Sequence, residues 1–315
     1  EEEVGVSMGV GIGGLGCIER YSKIIEEQGP KRVSPFFIPM TLSNLAPGYV
    51  SLIFRAKSYT ACTVSACTSS NHAIGTAART IERGDAKVVI SGGAESSVTP
   101  LGIAGFASMH ALSTRNNDPQ KASRPFDKDR DGFVMGEGSG MLILEDYEFA
   151  KARGARIYCE ITGYGFSSDA HHVTSPSSEG PARAMKMALK DSGLVPEEID
   201  YVNAHGTSTP VGDLNELRAI KMALGETAAQ KLSISSTKSM TGHLLGAAAA
   251  IEAIFSIKAL HHNFIPPTIN IENLDPECDL DVTPNTGKSK EMRVAMSNAF
   301  GFGGTNASII FQKID

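Results

Sequence analysis

The stretch Tyr59-Thr-Ala-Cys-Thr-Val-Ser-Ala-Cys67-Thr-Ser-Ser-Asn-His-Ala-Ile-Gly-Thr-Ala-Ala-Arg-Thr-Ile-Glu-Arg83 changes character in its middle. Residues 59–66 read as a strand, Cys67-Thr-Ser-Ser as a polar turn, and 71–83 as a helix rich in small residues. A second unit repeats the plan. Residues 232–236 read as a strand that passes through Thr237-Lys-Ser-Met-Thr-Gly-His243 into a helical pattern over 244–260. If the echo is a true repeat, the chain has two related halves facing each other, with Cys67 and His243 at comparable helix mouths. The same grammar recurs in α/β chains without duplication, so the echo alone leaves both readings open.

Around these units, residues 4–8, 87–91, 140–144, 199–203 and 294–299 also read as strands, with amphipathic stretches between most of them. Strands alternating with helices predict an α/β fold with largely buried sheets. Thr209 as a cap and Pro210 in the first turn predict a helix over 213–223. No linker or low-complexity tract separates modules.

With 315 residues, 41% of them hydrophobic, the chain can bury a large core. A net charge of −6 gives it no general attraction for nucleic acid or an anionic membrane surface. No apolar run reaches the roughly 20 residues that span a bilayer. The five cysteines, Cys17, Cys62, Cys67, Cys159 and Cys278, are scattered and form no CxxC pair. That usage suits a reducing compartment, and the expected location is the cytoplasm.

A thiol at a strand-to-helix junction gains thiolate character from the unpaired N–H groups of the helix mouth. Cys67 is therefore expected to be acidified, although a lone cysteine is more often a buried structural residue. His205 follows the apolar run 199–203 and should emerge at a strand's carboxyl end, where open α/β sheets place ligands. His243 opens the second small-residue helix.

Four strings carry a family likeness: Ser65-Ala66-Cys67-Thr68-Ser69; Asn203-Ala204-His205-Gly206-Thr207-Ser208-Thr209; Ser236-Thr237-Lys238-Ser239-Met240-Thr241-Gly242-His243; and Asn298-Ala299-Phe300-Gly301-Phe302-Gly303-Gly304-Thr305-Asn306. Together with Arg124-Pro125-Phe126-Asp127, they resemble the active-site motifs of the thiolase-superfamily condensing enzymes. The closest likeness is to the β-ketoacyl-[acyl-carrier-protein] synthases of type II of the dissociated bacterial pathway. The likeness runs from one end of the chain to the other.

The resemblance implies a five-layered α-β-α-β-α fold with two related halves, 1–150 carrying the nucleophile and 151–315 carrying both histidines. The first half would be incomplete at its N-terminus, and the protein usually a homodimer. Cys67 would attack the donor acyl thioester while the N–H groups of Cys67 and Phe302 hold the oxyanion. His205 and His243 would then stabilise the enolate formed as malonyl-carrier loses CO₂. The implied partner is acyl carrier protein bearing acyl- or malonyl-phosphopantetheine, with no metal or organic cofactor.

Residue by residue, the resemblance makes Lys238 and Glu252 a buried pair orienting His243, against the plain reading of a surface ion pair. It gives Thr207 and Thr209 contacts to the pantetheine arm and makes Phe302 a gate flanked by glycines. Ile12 and Phe37 match the acyl pocket, with core packing as the plain alternative, and Lys31 and Arg32 match the carrier-docking edge. Two departures weaken it locally: His110 stands where Arg is frequent, and Ser58-Tyr59 where Gly-Pro is usual.

Other motifs carry little. Gly9-Val-Gly11-Ile-Gly-Gly14 fits a dinucleotide pattern but lacks a strand-borne acid for ribose. Asp127, Asp129 and Asp131 imitate half a calcium loop whose twelfth position is Gly138. His171-His172 and His261-His262 lack zinc spacing. The rival functions are a thiolase, which would need a second cysteine near Phe302, an inert chain-length partner, and a Cys-His-Asn hydrolase using Asn298 or Asn306.

Overall fold

A computed structural model describes residues 1–174 and 176–314. In chain order the main elements are β1 (Val4–Gly9), α1 (Leu15–Gln28), α2 (Phe37–Thr41), α3 (Leu45–Phe54), β2 (Thr60–Thr63), α4 (Ser69–Glu82), β3 (Val88–Glu95), α5 (Pro100–Ser108), β4 (Gly138–Glu145) and α6 (Tyr147–Ala152). There follow β5 (Glu160–Ser168), α7 (Glu179–Ser192), β6 (Tyr201–Asn203), α8 (Pro210–Leu224), α9 (Glu226–Ala229), β7 (Ser233–Ser235), α10 (Lys238–Thr241), α11 (Ala248–His262), β8 (Phe264–Ile265), β9 (Lys288–Ser289), β10 (Val294–Gly301) and β11 (Thr305–Gln312).

Among the described residues, two large sheets run in the orders β2-β1-β3-β4 and β5-β11-β10-β6-β7. In the first, β1 pairs in parallel with β2 and β3, and β4 closes antiparallel on β3. In the second, β6 pairs in parallel with β10 and β7, and β11 lies antiparallel between β10 and β5. Between the sheets lie α4 and α11. Helix α4 touches β1 and β3 on one side and β11 and β5 on the other. Helix α3 packs on the outer face of the first sheet, and α7 and α8 cover the second, so the expected five layers are present.

Composition follows from this position. A helix buried on every side carries small apolar residues all round, as Ala248, Ala249, Ala250, Ala253 and Ala259 of α11 show. Gly75 on α4 leaves the space that the Tyr164 ring of β5 fills, since a Cβ there would lie 2.3 Å from that ring.

Three expectations need correction. Strand β5 was not predicted. Its Gly163 and Gly165 dilute the strand pattern because α7 approaches so closely that a Cβ at Gly165 would sit 2.0 Å from the Ala184 carbonyl. Thr209 does not cap α8 with its side chain. Its Oγ1 pairs with Thr207 Oγ1 at 3.1 Å, while Asp213 Oδ1 accepts the N–H groups of Ser208 and Thr209 at 3.1 and 3.3 Å. Finally, His243 does not match Cys67 within the repeat. Each middle helix is preceded by a 3-10 turn, Ala66–Thr68 before α4 and Leu245–Ala247 before α11, so Gly246 is the counterpart of Cys67.

Candidate active site

Cys67 stands on a strained elbow. Ala66, just before it, takes φ of 51°, a left-handed conformation that costs a non-glycine residue on the order of 1–3 kcal/mol. Neighbouring hydroxyls hold the turn in place. Ser69 Oγ donates to the Ala66 carbonyl at 2.6 Å, Thr68 Oγ1 to the Thr305 carbonyl at 2.9 Å, and Thr305 Oγ1 to the Ser65 carbonyl at 3.2 Å. The last two bonds tie the Cys67 elbow to β11 of the other sheet.

His205 leaves the end of β6 as expected. Its backbone N–H and that of Gly206 each donate 2.8 Å bonds to the two carboxylate oxygens of Glu216 on α8. Glu216 is buried, and burial pushes its carboxyl up to about 7 against the pull of these N–H groups. Asn298 Nδ2 donates to Glu216 Oε1 at 3.3 Å, and Ser308 Oγ donates to Asn298 Oδ1 at 2.7 Å. His243 is fixed through its backbone: its N–H donates to the Val134 carbonyl at 2.7 Å and its carbonyl accepts from Gly136 at 2.9 Å. The Phe133 ring stands edge-on to the imidazole at 5.3 Å.

These three residues, far apart in sequence, converge. His243 Nε2 lies 3.0 Å from Cys67 Sγ. The His205 and His243 rings meet edge to face with centroids 5.4 Å apart. One donor atom from each of the three residues lies within 4.8 Å of the others; among the described residues, this is the group whose spacing would suit a metal ion. All three open onto a cavity of about 350 Å³ that is also lined by Phe106, Phe133, Thr207, Thr209 and Phe302.

Electrostatics decide which proton states the site holds. Burial, and then Lys238, pull both imidazoles well below the usual histidine range, and for His205 the His243 ring adds to the effect. Both rings are therefore neutral at pH 7, each with one N–H to donate. The expectation of an acidified Cys67 is overturned. Burial pushes its thiol up to about 12, outweighing Lys238 and its own backbone N–H. The resting pair is a neutral thiol against a neutral imidazole.

Lys238 and Glu252 form a direct ion pair, each 1% exposed. The surface-pair alternative is thus excluded, and burial pushes the Glu252 carboxyl up to about 7 against the attraction of Lys238. Phe302, 37% exposed, lies at the cavity mouth with its ring 6.5 Å from Phe106, and Gly303 and Gly304 behind it take positive φ. Ile12 and Phe37 are elsewhere than the cavity wall: Ile12 is 40% exposed on the loop after β1, and Phe37 packs its ring 5.1 Å from Tyr21. Lys31 and Arg32 are exposed on a 3-10 turn.

Asn298 and Asn306 have other partners than the two imidazoles. Asn306 Nδ2 donates to Asp169 Oδ1 at 2.8 Å, which leaves a Cys-His-Asn hydrolase without its third member. Sequence reading missed Glu216 and Asp213, because acids spaced three apart on a helix look like its wet face. Their position just behind the His205 string was the available signal.

Comparison with known proteins agrees with this geometry. Residues 1–150 match the family model for the β-ketoacyl synthase N-terminal domain and residues 158–272 that for the C-terminal domain. The chain is 54% identical over 314 residues to 3-oxoacyl-[acyl-carrier-protein] synthase 2 of Synechocystis sp., covering 99% of this chain and 75% of that protein. It is 51% identical over 313 residues to the enzyme of the same name from Vibrio harveyi, with coverage of 99% and 75%. Among solved structures, a β-ketoacyl synthase from Burkholderia phymatum superposes with a TM-score of 0.93 at 39% identity, covering 99% of this chain and 76% of that one. A type II polyketide ketosynthase in complex with its acyl-carrier protein gives 0.96 at 36% identity, with coverage of 100% and 79%. A thiol elbow and two neutral imidazoles meeting in one cavity, within a chain matched by both family models, place this protein in the β-ketoacyl synthase family.

Proposed function

We propose that the protein is a 3-oxoacyl-[acyl-carrier-protein] synthase that elongates fatty acyl chains by decarboxylative condensation. The observation that carries this reading is the 3.0 Å contact between Cys67 Sγ and His243 Nε2, with His205 beside it. The names of the curated relatives support the substrate class.

In the first half-reaction Cys67 sulfur attacks the acyl thioester of the carrier protein. The C–S bond to pantetheine breaks, and the thiol proton leaves with the released pantetheine sulfur. The N–H groups of Cys67 and Phe302 hold the oxyanion. In the second, malonyl-carrier occupies the cavity, with Thr207 and Thr209 bonding the pantetheine arm. The N–H groups of His205 and His243 point at the thioester carbonyl. The C–C bond to CO₂ breaks, its electrons pass into the enolate, and the enolate carbon attacks the acyl-Cys67 carbonyl. Cys67 leaves as thiolate and takes up one proton, returning the thiol.

Neutral imidazoles suit this role, since each donates a hydrogen bond without adding charge that would hold the carboxylate in place. Lys238 and Glu252 orient His243, Phe302 gates the acyl chain, and Lys31 and Arg32 steer the acidic carrier. The two halves, 1–150 and 151–315, divide the labour between nucleophile and histidines. The protein acts in the cytoplasm as a homodimer. The apolar face formed by Leu52, Ile53 and Phe54 of α3, each more than 60% exposed, supports a covered surface. Among the described residues no helix is long and apolar enough to cross a membrane.

Mass spectrometry tests this reading. Acyl-carrier alone should add its acyl group to Cys67, and malonyl-carrier should then release a product two carbons longer. Free fatty acid formed without malonyl-carrier would mark a hydrolase instead.

A further inference from the structure

Glu95 ends β3 and is 5% exposed. Its carboxylate gathers five donors. Gly11 N–H lies 2.7 Å from Oε2, Ile12 N–H at 3.1 Å from the same oxygen, Gly13 N–H at 3.2 Å from Oε1, Gly246 N–H at 3.1 Å from Oε2, and the Ser97 hydroxyl at 3.0 Å from Oε1. Four belong to the half that holds Cys67. The fifth, Gly246, belongs to the turn before α11, in the half that holds both histidines.

Gly246 is held from both sides. While its N–H goes to Glu95, its carbonyl accepts from Ser70 Oγ on the first turn of α4, one turn from Cys67. The contact is close enough to require glycine: a Cβ on Gly246 would lie 2.0 Å from the Gly11 nitrogen, and one on Gly11 would lie 2.4 Å from Glu95 Oε2. Leu245, beside Gly246, forms part of the cavity wall, and His243 lies two residues earlier. The turn before α11 is thus tied to the first half twice, to residues 11–13 through the Glu95 carboxylate and directly to α4 through Ser70.

We propose that Glu95 is a positioning residue for the condensation: by clasping residues 11–13 to Gly246 it sets the register between the half bearing Cys67 and the half bearing His205 and His243. The inference rests on the condensing-enzyme reading. It makes a specific demand on the two half-reactions. Malonyl decarboxylation uses His205 and His243, which share one half and keep their mutual geometry without the clasp. Acyl transfer to Cys67 joins groups from both halves and depends on it.

The test compares wild type, Glu95→Gln and Glu95→Ala by acylation of Cys67 from acyl-carrier, by malonyl-carrier decarboxylation, and by thermal unfolding. Misplacing reacting groups by about 1 Å costs on the order of 10²-fold, so Glu95→Ala should lose about that much acylation rate while decarboxylation falls by less than about threefold. Glu95→Gln keeps one acceptor oxygen and should fall between Ala and wild type. Equal losses in both half-reactions, or a folded Glu95→Ala that acylates at the wild-type rate, overturns the proposal. If Glu95→Ala does not fold, the same split is read from Glu95→Gln, and its absence there overturns the proposal as well. Wild type that fails to acylate Cys67 would count against the condensing reading itself, a separate outcome.

Discussion

The two sheets follow one plan when β1 is matched with β6, β2 with β7, β3 with β10 and β4 with β11. Parallel and antiparallel pairings then agree throughout. Even the strained residue repeats, with Ala66 at φ 51° before Cys67 and Leu245 at φ 49° before Gly246. What differs is the residue on the elbow. In the first half it carries a thiol facing the cavity; in the second it carries no side chain, and its N–H is taken by Glu95. The second half instead brings side chains to the cavity from beside the elbow, with His205 after β6 and His243 before α11. On the proposed reading a duplicated scaffold gives one nucleophile and one donor pair, since one elbow presents a thiol to the cavity and the other is closed by Glu95. The halves also differ in extent: β5 flanks β11, while among the described residues β4 forms an edge.

This division can be broken at its strongest point by Cys67→Ala. Loss of a catalytic nucleophile costs up to about 10⁶-fold in kcat, so condensation should vanish while malonyl-carrier decarboxylation persists, both followed by product mass spectrometry. Loss of both activities together would end the separation between halves. His205→Ala and His243→Ala should each lower decarboxylation about 10²–10³-fold, the usual effect of removing one oxyanion donor, as measured by CO₂ release. Cys67 alkylation should survive His205→Ala.

The same pair gives a pH prediction. Both imidazoles are held below the ordinary range, chiefly by burial, so neither gains a proton as pH falls through 6.5. Decarboxylation should show no acid limb near 6.5 in a pH–rate profile. For stability the sign is opposite to that of a paired histidine: the unfolded chain binds these protons first, so the two histidines weaken folding as pH drops below their unfolded value.

A gentler test targets the closed elbow. Gly246→Ala forces a Cβ against the Gly11 backbone, and overpacking of this kind costs about 1–3 kcal/mol. The melting temperature should fall, whereas an unchanged value would show that the two loops can separate freely. The smallest effect is expected at the surface. Exposed charges are worth about 0.2–1 kcal/mol each, so Lys31→Glu with Arg32→Glu should raise KM for acyl-carrier several-fold at low salt and leave kcat unchanged.

Much of the site was legible in sequence. Cys67, His205 and His243 stood out because each sits in a string that resembles a condensing-enzyme motif and falls at the end of an element, although each taken singly also reads as a structural residue. Glu216 and Glu95 did not stand out, since a carboxylate that collects backbone N–H groups looks in sequence like any other acid. The thiol illustrates the opposite limit: its helix mouth was read correctly, yet the thiol is pushed up and not acidified, because burial outweighs Lys238 and the Cys67 backbone N–H and is not written in local sequence. Strand β5 escaped notice because its glycines answer to the approach of α7 and not to strand propensity.

By itself, the sequence determined the alternation of strands and helices, the turn chemistry at the elbows and the identity of the reactive groups, since these depend on residues near one another in the chain. The tertiary structure alone decided that the thiol and imidazoles share a cavity, that the imidazoles are neutral and the thiol protonated, and that Gly246 and not His243 mirrors Cys67. Proton affinity and register are set by what lies across space, through desolvation and close backbone contact, and neighbours along the chain do not reveal those distances.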